Sequence, residues 1–181
     1  MTNVTKNQNV PDVALNLEVL VEHPGWQKKI ARLKGKIVET VELSLLAQNK
    51  FKLKGGAYDL SIVLASDEKI RKLNKTHRGK DYATNVLSFP IAEGETSTIP
   101  GIPTMIGDIV LAHDVIEREA KAEGKTFTHH TLHLVAHGVL HLCGYDHMTP
   151  SQTRTMQRLE ITIMDEMGIP DPYLAGMNMS D

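Results

Sequence analysis

Residues Gly107–His147 read GDIVLAHDVIEREAKAEGKTFTHHTLHLVAHGVLHLCGYDH. The stretch opens on GDIVLA, a short apolar run that reads as a strand over 107–112. His113 to Glu123 then reads as a helix. It ends at Gly124, a residue that adopts a left-handed helix end at low cost. Thr128 to Leu142 reads as a second helix, stopped in the same way by Gly144. A strand followed directly by two helices predicts a sheet with helices packed on it.

The flanking sequence extends that pattern. Upstream, Val13 to Val21 alternates apolar and polar residues, as a half-buried strand does. His23-Pro24-Gly25 breaks it. Trp26, Ile30, Leu33, Ile37, Val41 and Leu45 recur at helical spacing and predict one long amphipathic helix. Gly55-Gly56 is a turn, and Tyr58 to Ala65 a second strand. Ser66 or Asp67 caps a short helix predicted to run through Leu73. Arg78 to Asn85 has no clean period and reads as a loop. Val86 to Phe89 is a short strand stopped by Pro90, and 92–104 reads as a mobile surface loop. Downstream, Thr149-Pro150-Ser151-Gln152 is a capping box with Pro at the first helical position, so a last helix runs toward Gly168. Crossover helices imply some parallel pairing, and the two strands around 92–104 can pair antiparallel. The expected fold is α/β (α+β), with a small mixed sheet of about four strands and packed helices. Residues 1–10 and 174–181 are expected to be flexible tails around a single domain over 11–173.

At 181 residues the chain is one domain long, with enough apolar residues, 41%, to fill a core. Disorder of the whole chain is excluded. No apolar run approaches the ~18–20 residues of a membrane span. The polar start lacks a signal-peptide pattern, so the expected location is the cytoplasm. One cysteine, Cys143, makes no internal disulfide. A net charge of −2 excludes a general electrostatic grip on nucleic acid, so any such contact needs a local basic patch.

Histidine is the compositional anomaly. Six of the nine histidines lie between His129 and His147. His137 and His141 are four apart, so on a helix they stack on one face. Gly144 turns the chain back and brings His147 to them. Three imidazoles suit one zinc ion, and three protein ligands leave a fourth position open, which marks a catalytic site. Zinc brings the pKa of a bound water to around 7. The alternative is packing or surface histidines, and the helix-end glycine with a third histidine weighs against it. Cys143 is a further candidate donor. It lies about 200° round the helix from His141 and reads as a small core residue. The same histidine spacing occurs in metzincin proteases, which carry a glutamate base directly after the first histidine. Gly138 stands there instead, so peptide hydrolysis loses its base.

The segment HGVLHLCGYDH resembles the signature of the YbeY family of metal-dependent hydrolases. Asn74–Pro90, NKTHRGKDYATNVLSFP, and GDIVLA at 107–112 agree with that resemblance. It covers roughly residues 55 to 168, and leaves 92–104 and both tails without family signal. The resemblance implies a single-strand-specific endoribonuclease acting in 16S ribosomal RNA 3′-end maturation and ribosome quality control. It implies one zinc ion per chain held by His137, His141 and His147, with Arg78 as a functional arginine. It implies ribosomal RNA, and the small ribosomal subunit or assembly factors, as partners.

The residues themselves say less about RNA. Lys69, Arg71, Lys72, Lys75, Arg78 and Lys80 form a run with no acid among them, a candidate phosphate-facing patch. A solvated helix face is the plainer reading for the lysines. Arg78 is expected past the helix, in a loop, where a guanidinium can fork a phosphate and stabilise its transition-state charge. Few aromatics, 4%, argue against extensive base stacking. Lys28, Lys29, Arg32, Lys34 and Lys36 form a second basic run, read as the wet face of the first helix, with a ribosomal contact as the sharper alternative. His133 shares the face of His137, either near the metal and substrate or as a buried hydrogen-bonded residue. Asp146 can orient a ligand imidazole or cap its turn. Asp108 is a candidate for facing the site, and Thr84, Asn85 and Ser88 for lining its cleft. The resulting reading is a zinc-dependent endoribonuclease. Its rivals are another metallohydrolase, a non-catalytic ribosome-assembly factor with a structural metal, and a metal-storage or sensor protein.

Overall fold

A computed structural model describes residues 13–29, 33–51, 56–91 and 102–174. Four strands make one mixed sheet: β1 (Val13–Val21), β2 (Gly56–Ala65), β3 (Val86–Pro90) and β4 (Thr104–Ala112), in the order β1-β2-β4-β3. β1 and β4 both run parallel to β2, and β3 pairs antiparallel with β4 at the edge. The mixed sheet and both pairing senses are as expected. Among the described residues six helical segments accompany it: α1 (Pro24–Lys29), α2 (Leu33–Ala47), α3 (Asp67–Arg78), α4 (His113–Ala122), α5 (Phe127–Leu142) and α6 (Pro150–Glu166).

The sheet separates two apolar clusters. The larger joins Tyr58, Leu60, Ile62, Leu64, Ile109 and Leu111 to the inner faces of α2, α5 and α6. The smaller lies on the opposite face, where Ala65, Leu87, Val110 and Ala112 meet Ile70 of α3 and Val115 of α4. Alternation along the strands produces this division. α5 is enclosed on nearly every side. Among its last twelve residues only His133, His137 and His141 escape full burial. That spacing of four is one stripe along a helix, so the polar side chains gather where the packing opens.

The expected first helix is seen as α1 and α2, with residues 30–32 between them outside the described residues. Two other expectations are corrected. α3 continues past Leu73 to Arg78, where Gly79 takes the left-handed cap at φ 69°. Asn74 is buried inside it, and its side-chain amide donates to the Tyr82 carbonyl at 2.8 Å. Second, β4 begins at Thr104 rather than Gly107. The expected turn at Gly55, the loop over 92–101, residues 1–10 and 175–181 lie outside the described residues.

Cys143 follows α5 and packs in the larger cluster, 4% exposed. Burial pushes its thiol up to about 12. It is thus a core residue, as read from its helix position. Folded protein should resist iodoacetamide at pH 8 and alkylate fully once unfolded in urea. Fast alkylation of folded protein would contradict this placement.

Candidate metal centre

The last turn of α5 presents His137 and His141 side by side, with ring centroids 4.5 Å apart. Gly144, at φ 83°, then reverses the chain. The Gly144 N–H donates to the His141 carbonyl at 2.9 Å, and the Tyr145 N–H to the Leu140 carbonyl at 3.0 Å. Tyr145 is buried and pins the turn to the end of α2: its hydroxyl donates to Asn49 Oδ1 at 2.8 Å and accepts from the Asn49 N–H at 3.0 Å. His147 follows. Thr153, in the first turn of α6, donates to its carbonyl at 3.1 Å. The capping box at Thr149 and Gln152 forms as the sequence predicts. The His147 ring lies 5.4 Å from that of His137 and 5.0 Å from that of His141.

One nitrogen from each of the three histidines falls within 4.8 Å of the others. Nε2 of His137 and Nε2 of His141 are 3.0 Å apart. Zinc–nitrogen bonds of ~2.0–2.1 Å in a tetrahedron place two donors about 3.3 Å apart, so the pair is spaced for a shared ion. Burial lowers the His141 pKa to about 4, helped by His137 and His147 beside it. At neutral pH this imidazole is uncharged, the form that binds a metal. The donor set fits zinc.

Glu160 completes the arrangement, and sequence reasoning missed it. It lies on α6, its side chain is 1% exposed, and Oε1 accepts from Nδ1–H of His137 at 2.7 Å. That bond fixes the tautomer and leaves the Nε2 lone pair for a ligand. Oε2 sits 3.4 Å from Nε2 of His133 and accepts from the Tyr173 hydroxyl. Burial alone would raise the Glu160 carboxyl; the hydrogen bonds and charges of His133 and His137 outweigh it and hold the pKa down at about 2. A signal was present in the sequence: Glu160 falls among Met156, Ile163 and Met164 on the apolar face of its helix. Glu160→Gln should weaken zinc binding about 10–100-fold with the fold kept, measured against a competing chelator. Unchanged affinity would reduce Glu160 to packing.

The other expected positions divide. His133 lies beside Glu160 and lines a cleft of about 880 Å³ with His130, His137, Asn85, Glu119 and Tyr173. Asn85 reaches Glu119 at 2.9 Å, which also meets His130 at 2.9 Å. Ser88 points instead at Gly138: a Cβ on that glycine would stand 3.2 Å from Ser88 Oγ and 3.0 Å from Ile109. Position 138 thus faces the sheet, where a side chain would press on β3 and β4. Among the described residues Thr84 reaches only its neighbour Asn85, at 3.5 Å. Asp146 caps its own turn, accepting from the His147 N–H at 2.8 Å. Asp108 does not face the site. It pairs with Phe89 and shares the sheet face of Val110, whereas Ile109 and Ser88 face α5.

The basic run is largely neutralised by acids from outside it. Lys69 pairs with Glu22, Lys72 with Glu68, and Arg71 and Lys75 both with Asp81. Hydrogen bonds from Arg71 and Lys75 hold the Asp81 carboxyl at about 2. Arg78 and Lys80 are exposed and have no ion pair among the described residues. Arg78 is the last residue of α3 rather than a loop residue, because the polar sequence 74–78 is one more helical turn with a solvated face. It shares an end of the sheet with the histidines. His77 packs on Phe89 at 5.0 Å, Phe89 pairs beside Gly107, and a Cβ on Gly107 would meet Leu142 of α5. α3 and α5 therefore finish at the same end of edge strand β3, on opposite faces. In the second basic run, Lys29 pairs with Glu117 and lies 4.3 Å over the Phe127 ring.

A family model described as Endoribonuclease YbeY matches residues 25–168. A Rhodopseudomonas palustris protein named Endoribonuclease YbeY is 42% identical over 156 residues, covering 86% of this chain and 80% of its own length. One of the same name from Paramagnetospirillum magneticum is 40% identical over 162 residues, covering 89% and 97%. The solution structure of TM1509 from Thermotoga maritima matches 92% of this chain and 100% of its own, at 25% identity and a TM-score of 0.51.

Proposed function

Because the chain belongs to the YbeY family of endoribonucleases, we propose that it cuts single-stranded RNA with one zinc ion held by His137, His141 and His147. It is an endoribonuclease, a hydrolase of phosphodiester bonds. The observation that carries the metal reading is the convergence of three imidazole nitrogens within 4.8 Å at the open stripe of α5. Zinc, when bound, supplies Lewis-acid polarisation and a nucleophile at neutral pH. Glu160 keeps the His137 proton on Nδ1, so that Nε2 is always ready as a donor. The neighbouring cleft is of a size that admits a nucleotide, and His133, Asn85 and Tyr173 offer it polar edges. Arg78, with no acid to neutralise it among the described residues, forks the scissile phosphate from the shared end of β3. Lys80 adds charge beside it, and Lys69, Arg71, Lys72 and Lys75 contribute only where RNA displaces their acid partners.

The biological substrate in this reading is precursor 16S ribosomal RNA at its 3′ end, met on the small ribosomal subunit in the cytoplasm. No helix among the described residues is long and apolar enough to cross a membrane. The reading is tested with matched single- and double-stranded RNAs, and by sequencing 16S 3′ ends in cells depleted of the protein. Cutting confined to the single strand, with extended 3′ ends after depletion, is expected. Equal cutting of both RNAs, or normal 3′ ends, would contradict it.

A further inference from the structure

A second group of donors lies toward the other end of α5. We propose that His23 and His113, with Asp114 holding the far edge of the His113 ring, form a further site for a first-row divalent cation of the zinc, cobalt or nickel kind. One nitrogen or oxygen from each lies within 4.8 Å of the others. His23 sits between β1 and α1, and His113 and Asp114 open α4 directly after β4. β1 and β4 both run parallel to β2, so the cluster stands at the carboxyl ends of parallel strands, where open α/β sheets receive ligands.

His113 carries the inference. Its side chain is 7% exposed. Asp114 Oδ1 lies 2.6 Å from Nδ1, which places the ring proton at Nδ1 and the lone pair at Nε2. That Nε2 is buried and has no hydrogen-bond partner among the described residues. Leaving a buried acceptor unpaired is costly unless something fills the position. The ring cannot easily turn away. His23, Trp26 and Phe127 surround it at centroid distances of 5.2, 5.3 and 5.2 Å. Gly25 presses on it so closely that a Cβ would fall 2.7 Å from both Cε1 and Nε2. Nδ1 of His23 accepts from the Gly25 N–H at 3.3 Å, leaving its own Nε2 available.

A carboxylate that holds Nδ1–H while Nε2 faces outward is the usual surrounding of a metal-bound imidazole. Asp114 does for His113 what Glu160 does for His137. Imidazole donors select zinc, cobalt or nickel over magnesium and calcium, which prefer oxygen. Phe127, beside His113, is the first residue of α5, and His137 lies ten residues further on. At 1.5 Å per residue, the two centres are about 15 Å apart along the helix. Two-metal phosphoryl chemistry needs ions ~3.5–4 Å apart. The second ion therefore ties the start of α1 to the start of α4 and takes no part at the scissile phosphate.

Cobalt is the probe. The double variant His137→Ala, His141→Ala removes the first centre. Intact protein should take up two Co²⁺ per chain, and the double variant one. Adding Asp114→Asn should weaken that remaining uptake about 10–100-fold. Adding His23→Ala instead should abolish it. Saturating Co²⁺ should raise the melting midpoint of the double variant and leave its His23→Ala derivative unmoved. Circular dichroism of each metal-free variant separates lost binding from lost fold, and Asp114→Asn keeps the test open should His23→Ala unfold. No uptake by the folded double variant overturns the site. So does uptake undiminished by either added change.

Discussion

His141→Ala is expected to lose zinc and RNA cleavage together while keeping its fold. A site with one of three imidazoles removed retains a single adjacent pair, His137 and His147. Since loss of a mere supporting group costs about 10–100-fold in affinity, loss of a ligand should exceed 100-fold. Turnover should fall to background at stoichiometric zinc. The stability cost is small. His141 is half-buried and its ring hydrogen-bonds the Tyr145 backbone, so about 1 kcal/mol is at stake. For a chain of this size that is about 2–4 °C in melting midpoint. Metal analysis, a thermal scan and a cleavage assay check all three. Zinc retained at one ion per chain would remove His141 from the ligand set.

Arg78→Ala should behave in the opposite way toward the metal. Zinc stays bound, because Arg78 is on α3, across the sheet from α5. Turnover should fall about 10²–10³-fold, the scale of losing one donor aimed at transition-state charge. The loss should fall on kcat more than KM, since the guanidinium acts on charge that develops during reaction. Arg78→Lys should restore only part of it, because an ammonium keeps the charge and loses the planar fork. The exposed helix end tolerates the change, at about 0.3–1 kcal/mol for a lost cation in the last turn. Turnover within threefold of the parent would make Arg78 a surface charge.

The mixed sheet and the ends of α5 and α6 were legible because each rests on a local signal. Periodicity, Gly144 and the box at Thr149–Gln152 all point one way, and the structure follows them. The last turn of α3 was hidden because residues 74–78 are polar, and a helix without an apolar stripe has no readable period. Gly79 was the stop signal to weigh there. The basic run looked uncompensated because only Lys69 to Lys80 was counted, whereas Glu68 and Asp81 border it directly and Glu22 reaches it from the end of β1. Asp108 shows a further limit. Its face depends on the register with Phe89, which no single strand reveals. The three histidines were found because a helix and one glycine determine their meeting. Glu160 was not, since its partner stands 23 residues away on another helix.

The central claim is that the three-histidine cluster holds the ion on which RNA cutting depends. Its most direct test is reconstitution: protein stripped by a chelator, given one equivalent of Zn²⁺, and assayed on an end-labelled single-stranded RNA beside His141→Ala. Stripped protein should be inactive, one equivalent should restore cutting, and the variant should stay silent at the same zinc. Full cutting by metal-free protein, or equal cutting by the variant, would contradict the account.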